Sequence, residues 1–402
     1  MDGTTKTVTT VEDLVAATQD ESMQHILIEG ELRRVPPIAL QRGVTLTGRS
    51  PSSTLAFAEG VDGVQLHGDN AVSRLGLHTE PTRRSIFLDP AASGSFHLVD
   101  LTVTGQVDLA TSAGHFLVDG LHITQADIRH RRERPELSGV GAMQGAFTLW
   151  NTDPRSVVTG TIRRVSAGSE QNPIRGSGVL VAGRLEIDLL ETGSIHTDGG
   201  IPDGTTDAIS GGVFVVHEAH VETVRNIGPV TSLGTNDMLL DNWGRVDRWI
   251  AQAPLTSFGR SGVGFVNFGT VDELRILAPI ETHGVGARGF NVYHLEGHPD
   301  ASVGTAEFDS ITTHGDAAIG IQIAQPIGRL TIHKGIRTHG GEGESLVKGV
   351  LTKLSAHALS VQRGGVIAEL EVGGTLTSTG EGVVPLHVLG EIKSARLAGG
   401  LS

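Results

Sequence analysis

Carboxylate, imidazole and guanidinium side chains recur at one phase in the C-terminal half of this 402-residue chain. A five-residue pattern of apolar, any, Ser or Thr, any, Gly occurs there seven times, at 195–199, 230–234, 255–259, 280–284, 311–315, 336–340 and 376–380. Its second position reads His196, Thr231, Thr256, Glu281, Thr312, Arg337 and Thr377, and its fourth reads Asp198, Leu233, Phe258, His283, His314, His339 and Thr379. Three successive copies thus offer Glu281, His283, His314, Arg337 and His339, groups that can move a proton near neutral pH and steady a developing anion. These five are the candidate catalytic residues. The competing reading is a row of polar side chains that only solvates a sheet. Imidazoles repeated at one phase face the same way instead of converging, so no metal site is expected.

The elements that hold such a row follow from its spacing. The pattern glycines lie 35, 25, 25, 31, 25 and 40 residues apart, which describes a 25-residue unit with insertions. Within the minimal unit 315–340, three runs alternate apolar and polar residues: Gly320-Ile-Gln-Ile-Ala324, Arg329-Leu-Thr-Ile-His333 and Gly335-Ile-Arg-Thr-His339. That is the period of a half-buried strand, and nothing between the runs is long enough for a crossover helix. Successive units can therefore stack as coils about 4.8 Å apart, giving three parallel sheets around a narrow core. Pattern positions one and three point inward and positions two and four outward. The Ser/Thr column is expected to form a hydroxyl ladder, and the glycine to supply a turn with positive φ. Ahead of the coils, Thr10 and Asp13 frame a weak capping box for a helix over 10–17, whose apolar face of Val11, Leu14 and Val15 would close the open end of the core.

Insertions mark where a coil departs from its minimum. They fall near 129–143, 199–210, 294–302 and 353–365, and the last three flank the first run of each unit. The outward positions of that run include Asp241, Phe268, Asn291, Tyr293, Gln322 and Lys353. Together with Asp203, His294 and Glu296 on the loops, the hydrogen-bonding and aromatic residues Asp241, Asn291, Tyr293, Gln322 and Lys353 are the candidate substrate-binding set, suited to a sugar ring in a walled cleft. The stretch Arg129-His-Arg-Arg-Glu-Arg134 is a local cationic loop. The middle run carries mixed charges, among them Asp247, Arg248, Asp272, Arg275, Arg329 and Glu369, and reads as a solvated face.

The capping helix, strands in the style of Val99-Asp-Leu-Thr-Val-Thr-Gly105 and the 25-residue coils resemble the right-handed parallel β-helices of the pectin-lyase-like superfamily, over nearly the whole chain. The resemblance implies an all-β fold in one domain, 1–402. That superfamily includes pectate lyases, polygalacturonases, alginate epimerases, phage tailspikes and adhesins, so architecture alone selects no reaction. The Arg- and Asp-based signatures of pectate lyases are absent. Ile195-His-Thr-Asp-Gly199 is faintly similar to the Asn-Thr-Asp stretch of polygalacturonases, without the Asp pair that should follow. The expected activity is cleavage, transfer or elimination at a glycosidic bond of an oligo- or polysaccharide; the alternative is a non-catalytic scaffold, adhesin or glycan-binding module.

Composition narrows the partners. A net charge of −14 opposes nucleic acid and anionic membranes. With no Cys there are no disulfides or thiolate metal sites. No phosphate-cradling glycine motif, GxSxG elbow or HExxH helix occurs, and no cofactor is expected. The N-terminal residues contain no apolar leader and nothing reaches the length of a membrane span, which as written suggests a cytoplasmic chain; a secreted form with its leader removed would look the same. Homo-oligomerisation stays open.

Overall fold

Alternation at a period of two produces strands and little else. The computed structural model describes residues 4–293, 300–347 and 350–402, with 59% strand and 2% helix. Strands of one unit do not pair with each other. Each pairs in parallel with its counterpart one unit on, as in Phe265↔Phe290, Leu274↔Ala306 and Ile280↔Ile311. The chain is accordingly a right-handed parallel β-helix with three ladders.

The first ladder runs from Ile38–Leu40 to Leu386–Val388, and the second and third lie side by side. In the N-terminal half these two are fused. Single strands such as Ser95–Thr104 and Val158–Ala167 pass through the corner, bent at Asp100 and Arg164, which take left-handed φ of 51° and 52°. From residue 219 on, short turns separate them.

One apolar core fills the interior. Pattern position one supplies Val230, Leu255, Ile280, Ile311 and Ile336, all buried. Most of the filling is aliphatic, but Trp249, Phe265, Phe290 and Phe308 form an internal row with centroids 4.9, 5.9 and 4.9 Å apart, and Trp249 Nε1 donates to Asn226 Oδ1 at 2.8 Å. The helix forms at Val11–Gln19, with Thr10 as N-cap accepting from the Asp13 N–H at 3.2 Å, and buries Leu14 and Ala17 against the first coil. Among the described residues no helix is long and apolar enough to cross a membrane.

The in/out assignment of the pattern holds, with Thr377 the one second-position residue that is buried. Two finer expectations do not hold. The hydroxyl ladder closes only between Ser232 and Ser257 at 3.3 Å and between Thr338 and Ser378 at 2.8 Å; Thr313 instead donates to the Ala318 carbonyl at 2.8 Å. Nor do the pattern glycines take positive φ. The left-handed residue sits two positions later, at Asn236, Ser261, Gly286 and Ala317, with φ of 56°, 55°, 69° and 57°. What requires glycine is close approach. A β-carbon on Gly259, Gly284, Gly315, Gly340 or Gly380 would overlap the carbonyl oxygen of the pattern glycine one coil earlier.

Two insertions enter directly after a pattern glycine, Gly199 and Gly340. Residues 129–143 contain a small antiparallel hairpin, Glu136–Leu137 with Val140–Ala142, and residues 199–207 form a loop. The insertion placed at 353–365 is in fact an antiparallel hairpin, Glu342–Val347 with Val350–Ser355; Leu359–Val361 is the first-sheet strand of that coil.

Substitution Gly284→Ala is expected to cost at least about 2 kcal/mol, because the added carbon meets backbone that cannot move aside, whereas outward Thr312→Ala should cost under about 0.5 kcal/mol. Urea unfolding of the two variants checks this; equal losses would place the close contact elsewhere.

Candidate functional site

Pattern position two stacks Glu281, Thr312 and Arg337 across three coils of the third sheet, and position four stacks Phe258, His283, His314 and His339. Parallel pairing dictates the arrangement: centroids lie 4.7, 4.6 and 5.0 Å apart and the planes are within 12° of parallel. The five catalytic candidates are thus brought together on one exposed strip. The ring faces are turned on one another, so the strip presents imidazole edges to solvent.

Those edges are ordered by the single carboxylate among the five. Glu281 Oε1 lies 2.9 Å from His314 Nε2 and 3.5 Å from His283 Nε2. With Nε2–H of His314 donating to Glu281, the Nδ1 lone pair is left free to accept a proton. Burial, and then the positive neighbours His314 and Arg337, hold the His339 pKa below its ordinary value, favouring the neutral ring. Arg337 is exposed and its guanidinium is in no ion pair among the described residues. Donor atoms of Glu281, His283 and His314 lie within 4.8 Å of one another. They could hold a divalent cation only after one ring rotates, since the two imidazoles are parallel to within 1° and an in-plane cation for one is out of plane for the other.

Shallow concavities bracket the strip. One, of about 220 Å³, is bounded by Glu170, His196, Leu233 and Phe258; the other, of about 180 Å³, by Thr312, Lys334, Arg337 and Thr377. Larger concavities lie away from the strip. That of about 630 Å³ is set among Arg49, Arg74, His78 and Asp100 of the N-terminal coils. Another, of about 520 Å³, lies beneath the 136–142 hairpin and gathers His217, His220, Trp243 and Phe268 with Glu136. Of this second group sequence reasoning named only Phe268, although Trp243 stands 25 residues before it in the same outward phase.

The substrate-binding candidates fare differently. Asp241, Asn291 and Gln322 do face away from the core, in the column Phe214–Asp241–Val266–Asn291–Gln322. They are nevertheless 0%, 0% and 6% exposed, so they do not line an open cleft. Leu137 and Val140 of the 129–143 insertion pack with Leu180, Phe214 and Trp243 over this side of the first sheet and make it a second small core. The cationic run at 129–134 conceals the apolar residues that follow it. Tyr293 is half-buried and stacks on Phe268 at 5.1 Å. Lys353 is on the 342–355 hairpin, ion-paired with Glu342 at 2.5 Å, because Ser360 and not Lys353 follows Gln322 in the column. Exposed Asp203 accepts from the Thr235 hydroxyl at 2.6 Å. His294 and Glu296 lie outside the described residues.

Two buried acids stand out. Burial pushes the Asp237 carboxyl up to about 6, against hydrogen bonds from Ser210 and the N–H groups of Gly199 and Gly234, so it ties two pattern turns together. Neither oxygen of Asp241 has a partner within hydrogen-bonding geometry, and burial drives its pKa well above the usual carboxylate range, with the nearby Trp243 indole acting in the opposite direction.

No protein-family model, no curated protein and no solved structure matches the chain.

An acid with a raised folded pKa contributes stability that is lost as pH rises from its unfolded value, near 3.8, through the folded one. Asp241→Leu, which continues the apolar pair Phe214 and Val266, should therefore stabilise the protein by about 1–3 kcal/mol at pH 8 and by less at pH 4. Calorimetric melting at the two pH values checks it; a variant less stable at pH 8 would mean the carboxylate is satisfied.

Proposed function

We propose that the protein is a β-helix of the pectin-lyase-like kind that acts on a polysaccharide carrying carboxylates, by base-catalysed elimination along the third sheet. The observation that carries this reading is the hydrogen bond from His314 to Glu281, which leaves a ring nitrogen free to accept a proton beside an unpaired guanidinium. Hydrolysis calls for two carboxylic groups about 5–10 Å apart, and the strip supplies one. Elimination needs a base and a cation, and both are present. His314 Nδ1 takes the proton from the ring carbon next to the sugar carboxylate, Arg337 steadies the negative charge that develops there, and the electron pair forms a carbon–carbon double bond as the glycosidic oxygen leaves and is protonated by water. The imidazolium then returns its proton to solvent. Net charge of −14 repels a polyanion at long range, so recognition falls to Arg337 and Lys334 at the strip.

A second reading, a non-catalytic glycan-binding scaffold, is favoured by the ring faces being occupied by one another and by the shallowness of the flanking concavities.

Incubation with polygalacturonate, alginate and a neutral glucan, followed by the ultraviolet absorbance of unsaturated products, separates the readings. Turnover is expected on an acidic polymer, falling at least about 10²-fold in His314→Ala, Glu281→Gln and Arg337→Ala with little change in Tm. Binding without turnover would leave the scaffold, and cleavage of the neutral glucan without an unsaturated product would overturn elimination.

A further inference from the structure

His78 and Glu281 each follow a member of one inward row, which runs Leu77–Val103–Ile123–Ala167–Ile195 and on to Ile280. His78 therefore stands on the face of the third sheet that carries the strip, several coils nearer the N-terminus. Its imidazole ends a chain of three hydrogen bonds. Nδ1 is 3.1 Å from Thr104 Oγ1, which is 2.8 Å from Thr124 Oγ1, and that hydroxyl is 3.0 Å from the Val103 carbonyl. A carbonyl only accepts and each hydroxyl has one proton, so all three bonds form in one order alone: His78 Nδ1–H donates to Thr104, Thr104 to Thr124 and Thr124 to Val103. Burial holds the His78 pKa below its ordinary value, which favours the neutral ring. Nε2 is then left with a lone pair.

That lone pair faces the concavity of about 630 Å³ bounded by Arg49, Thr54, Arg74, Gly76, His78 and Asp100. A β-carbon on Gly76 would lie 3.3 Å from His78 Nε2 and 2.8 Å from Thr54 Oγ1, so the missing side chain leaves an opening between the two. Nε2 reaches solvent there and has no hydrogen-bond partner among the described residues. Arg74 supplies the opposite polarity. It sits at the bend between the second and third ladders with φ of 52°, is exposed, and is in no ion pair among the described residues. Its counterpart one coil on, Asp100, is turned to Arg164 at 3.3 Å, and Arg49 pairs with Glu29 at 3.1 Å.

We infer that this concavity binds a sugar unit bearing a carboxylate, whose charged group pairs with Arg74 and whose ring hydroxyl donates to His78 Nε2. Two different demands select that class. An unpaired guanidinium calls for an anion, and a lone pair facing the same space calls for an O–H donor. A neutral sugar meets only the second and acetate only the first. Asp100 on the rim disfavours a doubly charged anion such as phosphate, and the volume, within the roughly 300–1,000 Å³ of ordinary small-molecule sites, suits a ring better than a lone ion. The site is separate from the strip, and its occupancy does not require the elimination proposed there.

Titration calorimetry of the full chain near neutral pH with galacturonate, galactose, acetate and inorganic phosphate at equal ionic strength tests this. Galacturonate as a monosaccharide has no glycosidic bond, so its binding is read apart from any turnover at the strip. It should bind saturably, and the other three at least about tenfold more weakly. Arg74→Gln should weaken galacturonate binding at least about tenfold. Should that variant fail to fold, Gly76→Ala, which puts a carbon between Thr54 and His78 and leaves Arg74 in place, should weaken it likewise. In histidine-labelled protein the nitrogen-15 signal of His78 Nε2 should move as galacturonate is added. No binding by the wild type, equal binding of galactose or phosphate, binding retained in both variants, or a signal change confined to His314 would overturn the inference.

Discussion

Everything in this molecule is subordinate to one spacing: each coil lies on the last at the strand separation that parallel backbone hydrogen bonding sets, about 4.8 Å. At that distance a residue is judged mainly against its own counterpart above and below. The pattern glycines exist because the chain comes too close to its earlier pass for a β-carbon, and not because the turn needs an unusual φ. The same rule stacks Asn242 on Asn267, whose side chains bond at 2.8 Å, and lines up the internal row from Trp249 to Phe308.

Stacking also decides what the surface can do. Rings held face to face cannot offer the shared faces to a sugar, so His283 and His314 present only edges, and their chemistry is that of ring nitrogens. Glu281 then matters because it reaches across one coil to fix which nitrogen carries the proton. On the second sheet the same closeness turns mixed charges into ion pairs, Arg275 with Glu307 at 2.7 Å and Arg329 with Glu369 at 2.6 Å. The first sheet is covered instead. Its outer side takes an apolar lid from the insertions, and the polar residues trapped beneath, Asp241, Asn291 and Arg288, keep unpartnered atoms.

How much of this was legible in the sequence depended on whether a feature repeats. The coil, its three strands, the inward and outward phases and the third-sheet strip all follow from a 25-residue period read with an alternation of two. The N-cap at Thr10 was legible because it is local. Apart from the hydroxyl ladder and the φ of the pattern glycines, what failed was non-repeating or long-range. Lys353 fell into a hairpin that pairs with itself and not with the neighbouring coil, and Asp241, Asn291 and Gln322 were outward as expected but buried, the side of the sheet around Asp241 being roofed by the Glu136–Ala142 hairpin about a hundred positions earlier. A period says which way a side chain points from its own coil; it carries no information about what another segment lays on top.

The pairing of Glu281 with His314 is the claim on which the proposed chemistry rests, and nitrogen-15 NMR of histidine-labelled protein at a pH where the imidazoles are neutral addresses it directly. His314 should show the tautomer protonated at Nε2, and Glu281→Ala should abolish that preference. A His314 protonated at Nδ1, or a tautomer mixture unaffected by the loss of Glu281, would contradict the account.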